Sequence, residues 1–316
     1  MQGGGRVSAI VSQARRAPPW DLLAQGAILA LGALLFTVSH WFPADMPVFG
    51  PYDFSTSIYA SITFPAFWYL RGLTRLAPEA RPDLWRRVSF LLGLALLYGV
   101  TQTAYDYLAQ RMFFLGRIQH VALHHIGPVL IGLSMAGPVI LAGGPEWLRR
   151  IAASRIAARS MAVIQQPLIA AFLFVGLFYF WLFPPVHFVA MVNPTLYVVM
   201  TWTMALDGVL FWAMVLDTRP APPASAPFGM RAALSVAVMF PQIVLGALIT
   251  FANHDIYPSY AYCGRYLPNI SAVSDQTIGG VVIWIPPAMM SAVGLLVVLA
   301  NIRRADERRR RRQPSA

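Results

Sequence analysis

Residues 277–301 read TIGGVVIWIPPAMMSAVGLLVVLAN, and residues 302–316 read IRRADERRRRRQPSA. The first stretch carries no charged side chain and exceeds the roughly 20 apolar residues that an α-helix needs to cross a bilayer's hydrocarbon. The second holds the Arg308 to Arg312 run, suited to the anionic cytoplasmic leaflet. Together they read as a membrane span followed by its anchor.

The same pattern repeats toward the N-terminus. Seven more apolar segments lie at about 22–42, 54–72, 87–108, 117–142, 163–186, 195–216 and 232–252. With 57% hydrophobic and 12% charged residues and a mean hydropathy of +0.57, a chain of 316 residues holds more apolar surface than one soluble core could bury. No long polar stretch suggests a separate soluble domain. The expected fold is therefore all-α, a polytopic transmembrane bundle of eight spans, with seven as the alternative count. The expected division is a cytoplasmic tail at 1–20, the bundle at 21–302 and an arginine-rich cytoplasmic tail at 303–316.

The net charge of +11 comes entirely from arginine among the basic residues, clustered between the apolar runs. That clustering is a topology signal and gives no reason to invoke nucleic acid. Of the 24 arginines, 21 fall in the N-terminus, the connections at 73–86, 143–162 and 217–231, the C-terminal tail, and their flanks such as Arg71. The other side holds Arg111, Arg117 and Arg265. Alternate connections thus differ in basic content, which predicts both ends in the cytoplasm and a bacterial inner membrane. Arg6, Arg15 and Arg16 precede the first apolar run in the order of a signal peptide. That run is too long and lacks a small-residue cleavage site, so it reads as a retained anchor. Trp20, Trp85 and Trp147 fall near inner boundaries. Trp41, Trp181, Tyr257, Tyr260, Tyr262 and Tyr266 fall near outer ones, as amphipathic rings at headgroup level should.

A single cysteine, Cys263, excludes an internal disulfide and a multi-thiolate metal site within one subunit. The six histidines carry more information, because none falls on the cytoplasmic side. His40 ends the first span, His120, His124 and His125 lie in the outer half of the fourth, His187 follows the fifth, and His254 opens the last outer loop. Asp45, Asp53, Asp106, Asp255, Asp275, Met46, Met191 and Cys263 share that side. His120 and His124 are one helical turn apart and project from one face, the spacing that lets two imidazoles share an ion. At roughly 100° per residue, His125 points about 140° away from His120. Imidazoles near thioethers favour copper, zinc or haem iron over magnesium or calcium, with nearby carboxylates orienting the rings. The expectation is that helices carrying His40, His120, His124 and His187 converge, with His187 as third ligand. The bland alternative is histidines that hydrogen-bond neighbouring helices.

Asp207, in the middle of the sixth span, must face the bundle, where Gln242 or Thr203 could satisfy it. Pro138, Pro241, Pro286 and Pro287 lie within spans and are expected to kink or locally open them. There is no nucleophile elbow, HExxH, P-loop or glycine-rich dinucleotide turn, so nothing supports an enzyme.

Three segments between about 85 and 302 resemble the polytopic membrane CtaG family of cytochrome c oxidase assembly factors. RIQHVALHHIGPVLIGLS is similar to that family's Gln-His pair followed by a proline, here Gln119, His120 and Pro128. FWLFPPVHFVAMVNPTLYVVMTWTMALDGVLFW resembles its Trp-x-x-Pro segment and following helix, here Trp181, Pro184, Gly208, Phe211 and Trp212. YPSYAYCGRYLPNISAVSDQTIGGVVIWIP resembles its outer loop and Asp-Gln-x-x-Gly-Gly start to the last span, here Asp275, Gln276, Gly279 and Gly280 followed by Trp284. On residues alone that last motif reads as an N-cap with a small-residue helix contact. Where the family tends to place histidines, this chain has Gly116, Leu182, Tyr197 and Thr201. Either His124 and His187 supply the missing groups from adjacent positions or metal binding has been lost. The resemblance implies a non-enzymatic assembly factor for a haem-copper oxidase, holding or handing over copper, with an oxidase subunit or copper chaperone as partner. The rivals are a b-type haem redox protein with His120 or His124 as ligand, and a copper or small-solute permease, for which no inverted repeat speaks.

Overall fold

A computed structural model describes residues 20–311 except 48 and 53. Arg6, Arg15, Arg16, Asp53, Arg312 and the side chain of Trp20 lie outside the described residues. Every regular element described is helical. The long ones are α1 (Trp20–Trp41), α2 (Thr56–Arg75) and α3 (Leu84–Thr101). After the short α4 (Ala104–Arg111) comes a composite rod, α5 (Phe113–Val121), a π-helical turn (Ala122–Ile126), α6 (Gly127–Ser134) and α7 (Gly137–Gly143). Then follow α8 (Glu146–Ala153), α9 (Arg155–Ile164), α10 (Pro167–Leu182), α11 (Pro184–Val192), α12 (Pro194–Val215), α13 (Phe228–Ala237), α14 (Met239–Thr250), α15 (Ser259–Tyr262) and α16 (Ala272–Arg310).

Among the described residues, five continuous stretches are long and apolar enough to span a membrane, and seven if two bent pairs each count once. This is a multi-pass membrane protein. The expected segment at 54–72 does form a helix, the 20-residue α2, but its Thr, Ser, Tyr and Arg content keeps it below the apolar threshold the others pass.

The two bends have local causes. Between Ser134 and Gly137 the axis turns by 71°, where Met135 caps α6 in the left-handed region at φ 50° and Pro138 restarts the helix. Between Ile164 and Pro167 it turns by 69°, because Pro167 cannot continue α9 and Gln166 caps the next helix by accepting from the Ile169 N–H at 2.7 Å. The first bend divides the expected span 117–142 and the second falls at the start of 163–186; separate breaks after Thr101 and Leu182 interrupt the expected 87–108 and 163–186. Pro286 and Pro287, expected to open the last span, sit inside one uninterrupted helix of 39 residues that runs on through the arginine tail as far as Arg310.

The arginine-rich connections gather at one end. Asp21 at the start of α1 pairs with Arg71 and Arg75 near the end of α2, and those guanidiniums also donate to the carbonyls of Gly143 and Ala142. Orphan carbonyls at the α7 terminus are thereby satisfied by cations, as the helix dipole favours.

The opposite end is clamped by the Asp-Gln-x-x-Gly-Gly segment. Asp275 accepts from the backbone N–H groups of Phe113 at 2.9 Å and Phe114 at 2.8 Å and pairs with Arg265. Its own helix is capped by Ser271 instead, so Asp275 caps α5, the helix that carries His120. Gln276 accepts from the Ile256 N–H at 2.7 Å and donates to the His254 and Ile249 carbonyls, tying down the outer loop. A Cβ on Gly279 would collide with the Phe113 ring and one on Gly280 with Thr250, so both glycines allow α16 to lie directly against α5 and α14.

Tyr257, Tyr260 and Trp181, expected as headgroup anchors, are instead buried core residues. Their polar atoms find partners inside: Trp181 Nε1 donates to Thr203 Oγ1 at 3.0 Å and Tyr257 donates to the Leu182 carbonyl at 2.8 Å. Trp41, Trp85, Trp147, Tyr262 and Tyr266 are exposed, as anchors should be.

Candidate metal centre

The composite rod from Phe113 to Ser134 positions three histidines. In an unbroken α-helix His125 would point away from His120, but residues 122–126 form a π-helical turn in which the Gly127 N–H bonds the Ala122 carbonyl, five residues back. A wider turn advances less per residue, so His125 swings back toward the face of His120 and His124. The expectation that His125 points elsewhere is thus corrected. Pro128 is the local cause, since it has no N–H to offer the His124 carbonyl that a regular helix would pair with it. That carbonyl faces α12 at Gly208, where a Cβ would stand 2.6 Å from it, so only glycine lets the two helices approach here.

All three imidazoles are buried. One ring nitrogen from each of His120, His124 and His125 can be chosen so that all three lie within 4.8 Å of one another. Ring centroids are 5.2 Å apart for His120 and His124, and 4.9 Å for His124 and His125. His120 Nε2, His124 Nδ1 and both nitrogens of His125 have no hydrogen-bond partner among the described residues. Buried polar atoms without partners are costly, and these four fall in one cluster of metal-ligating side chains.

The surroundings hold the rings in place. Phe174 stacks on His124 at 4.0 Å and meets His125 edge-on at 5.4 Å, while Phe178 lies 5.0 Å from His120. Asp207, buried on α12, reaches His124 Nε2 at 3.3 Å. Gln242 and Thr203 were its expected partners. Gln242 has no partner for either amide atom among the described residues, and Thr203 bonds the carbonyls of Val199 and Met200 within its own helix. A carboxylate on one imidazole nitrogen fixes the tautomer and leaves the other, here Nδ1 with no partner among the described residues, as the candidate ligand atom. Beside His120 lies a cavity of about 30 Å³ whose lining includes Arg117, Gln119, Met200, Thr201 and Met204. It has room for about one water or ion.

The other expected ligands lie elsewhere. His187 is buried, but Trp181 O lies 3.0 Å from its Nδ1 and the Tyr260 hydroxyl 3.1 Å from its Nε2. Both nitrogens are occupied, so the ring ties α11 to the outer loop. Burial pushes the Tyr260 phenol above its usual range, which keeps it a neutral donor to that ring. His40 is exposed at the end of α1, stacked on Phe36 at 5.9 Å, and lines a separate surface cavity.

The positions where this chain departs from the resembled pattern are filled by other chemistry. A Cβ at Gly116 would stand 2.9 Å from the Ala109 carbonyl and 3.2 Å from the Tyr260 hydroxyl, so a histidine there would crowd both the backbone of α4 and the tyrosine that holds His187. Tyr197 donates to Asp106 at 2.8 Å and to Gln119 Oε1 at 3.1 Å, while Gln119 Nε2 donates to Asp106 at 2.5 Å and to the Val100 carbonyl at 2.6 Å. Gln119, adjacent to His120, is thereby locked into a network joining α3, α4 and α12. Sequence reasoning missed both this network and His125.

The cytochrome c oxidase caa3 assembly factor family, CtaG, matches residues 67–305. The chain belongs to that family. The matched region spans the whole composite rod, α12 and most of α16, so the histidine cluster and the Asp275 clamp both fall within the CtaG match. Among curated proteins and among solved structures, none matches.

Proposed function

We propose that this chain acts without catalysing a reaction, as an assembly factor for a haem-copper oxidase that holds copper on His120, His124 and His125. Family membership supports the assembly role. The observation that carries the chemistry is the group of three buried imidazoles with ligand atoms within 4.8 Å of one another, four of whose nitrogens lack partners among the described residues. Met200 and Met204 line the cavity beside His120, and imidazole with thioether groups nearby suits copper better than hard cations. The cavity beside His120, at about 30 Å³, is far below the several hundred Å³ that a porphyrin-sized ligand requires, which favours an ion over haem. Asp207 would serve as the carboxylate that orients His124.

In this reading the bundle crosses a bacterial inner membrane eight times, with α2 as the least apolar span, and the arginine-rich end faces the cytoplasm. The partner is an oxidase subunit or a copper donor reached from the opposite end. Deletion of the gene in its host should lower assembled oxidase activity and the corresponding absorbance bands. Wild-type complementation should restore both, and a His120→Ala, His125→Ala variant present at equal membrane level should not. Normal oxidase in the deletion strain would remove the assembly role; rescue by the variant would remove the copper site while leaving that role standing.

A further inference from the structure

At the arginine-rich end a cavity of about 400 Å³ opens between the start of α3, the connection after α12, the start of α13 and the last turns of α16. Arg86, Arg304, Arg308 and Arg309 line it against a single acid, Asp306. Neighbouring arginines are already committed: Arg219 pairs with Asp217 at 2.6 Å, Arg303 with Glu307 at 3.2 Å, and Arg231 donates to the carbonyls of Asp217, Arg219 and Ala226. The four lining arginines form no ion pair among the described residues. Four cations converging on one cavity repel one another unless an anion sits between them.

The cavity also has an inner wall. Asn301 is 4% exposed and its Nδ2 has no acceptor among the described residues, while Phe228 and Ile302 supply apolar surface next to it. Asn301, Arg304 and Arg308 are spaced three and then four residues apart, so one face of α16 presents an amide donor followed by two guanidiniums. That face begins where the apolar run of 277–301 ends, the depth at which hydrocarbon gives way to headgroups. A basic cavity with an apolar wall at that depth matches the chemistry of an acidic phospholipid.

We propose that this cavity binds a phosphate-bearing anionic group, with Arg86, Arg304 and Arg308 on the phosphate oxygens and Asn301 Nδ2 as an additional donor. A lipid headgroup and a free phosphate share that chemistry, and one experiment separates them. The full chain, purified in neutral detergent, is titrated by native mass spectrometry with cardiolipin, with phosphatidylcholine, and with cardiolipin in the presence of pyrophosphate.

Retention of cardiolipin over phosphatidylcholine, weakened about twenty-fivefold in an Arg304→Ser, Arg308→Ser variant, is the expected result, taking roughly a factor of five for each arginine at a headgroup. Displacement by pyrophosphate would support the site with a soluble phosphate as occupant. An Arg155→Ser, Arg159→Ser variant removes equal charge from α9, outside the cavity, and should bind as the wild type does. Equal weakening in both variants, or no preference for cardiolipin and no binding of pyrophosphate, would overturn the proposal.

Discussion

At the scale of single residues, the account turns on Asp207 and His124. Removing one partner of a buried hydrogen-bonded pair leaves the other unsatisfied, typically at about 1–3 kcal/mol. His124→Ala should therefore lower the thermal unfolding temperature of the detergent-purified protein clearly, and adding Asp207→Asn to it should recover much of the loss. Simple additivity of the two losses would show that the 3.3 Å contact carries no coupling. By itself, Asp207→Asn should keep the fold and weaken copper retention by about ten- to a hundredfold, the usual effect of losing an orienting carboxylate. The spacing of His120 and His124 made that pair legible in the sequence, since four residues fix a shared helix face. The partner of Asp207 was not legible, because which of Thr203, Gln242 or His124 it meets depends on how separate helices are rotated against one another.

At the scale of elements, the π-turn at 122–126 decides whether two imidazoles or three come together. Pro128→Ala restores the N–H that a regular helix would donate to the His124 carbonyl, so the turn should relax toward α-helix and carry His125 off the cluster. Helix content by circular dichroism should stay unchanged while copper retention falls at least about tenfold, as for loss of a ligand or its support; unchanged retention would show that His125 does not contribute. Pro128 stood in the sequence as part of a family motif, but the assumption of 100° per residue hid what a missing N–H does to the turn before it. The Asp275 clamp was partly legible in the same way. A cap and a close helix contact were both expected of Asp275 and the following glycines, yet the helix that Asp275 caps is α5, far away in the chain. Gly279→Ala should cost about 1–3 kcal/mol through overpacking against Phe113, read as a lower unfolding temperature.

At the scale of the whole molecule, the all-helical membrane fold followed from apolar length alone, and the gathering of arginine-rich connections at one end agrees with the alternation in the sequence. The exact division into spans did not follow, because Met135, Gln166 and Pro167 break rods that hydropathy reads as continuous. Sidedness is testable directly: reporters fused after residue 150 or 225 should be cytoplasmic, and a membrane-impermeant thiol reagent should label the half-buried Cys263 in intact spheroplasts. Labelling only after lysis would invert the orientation. The central claim, that three converging imidazoles hold copper, is tested most directly by copper analysis of the purified chain after loading with Cu(I) and washing with a weak chelator. Wild type should keep about one copper per chain, with an X-ray absorption shell of nitrogen ligands at about 2 Å, and His120→Ala, His125→Ala should keep less than about a tenth of it while retaining its helical spectrum. Equal copper in the folded variant and the wild type would contradict the account.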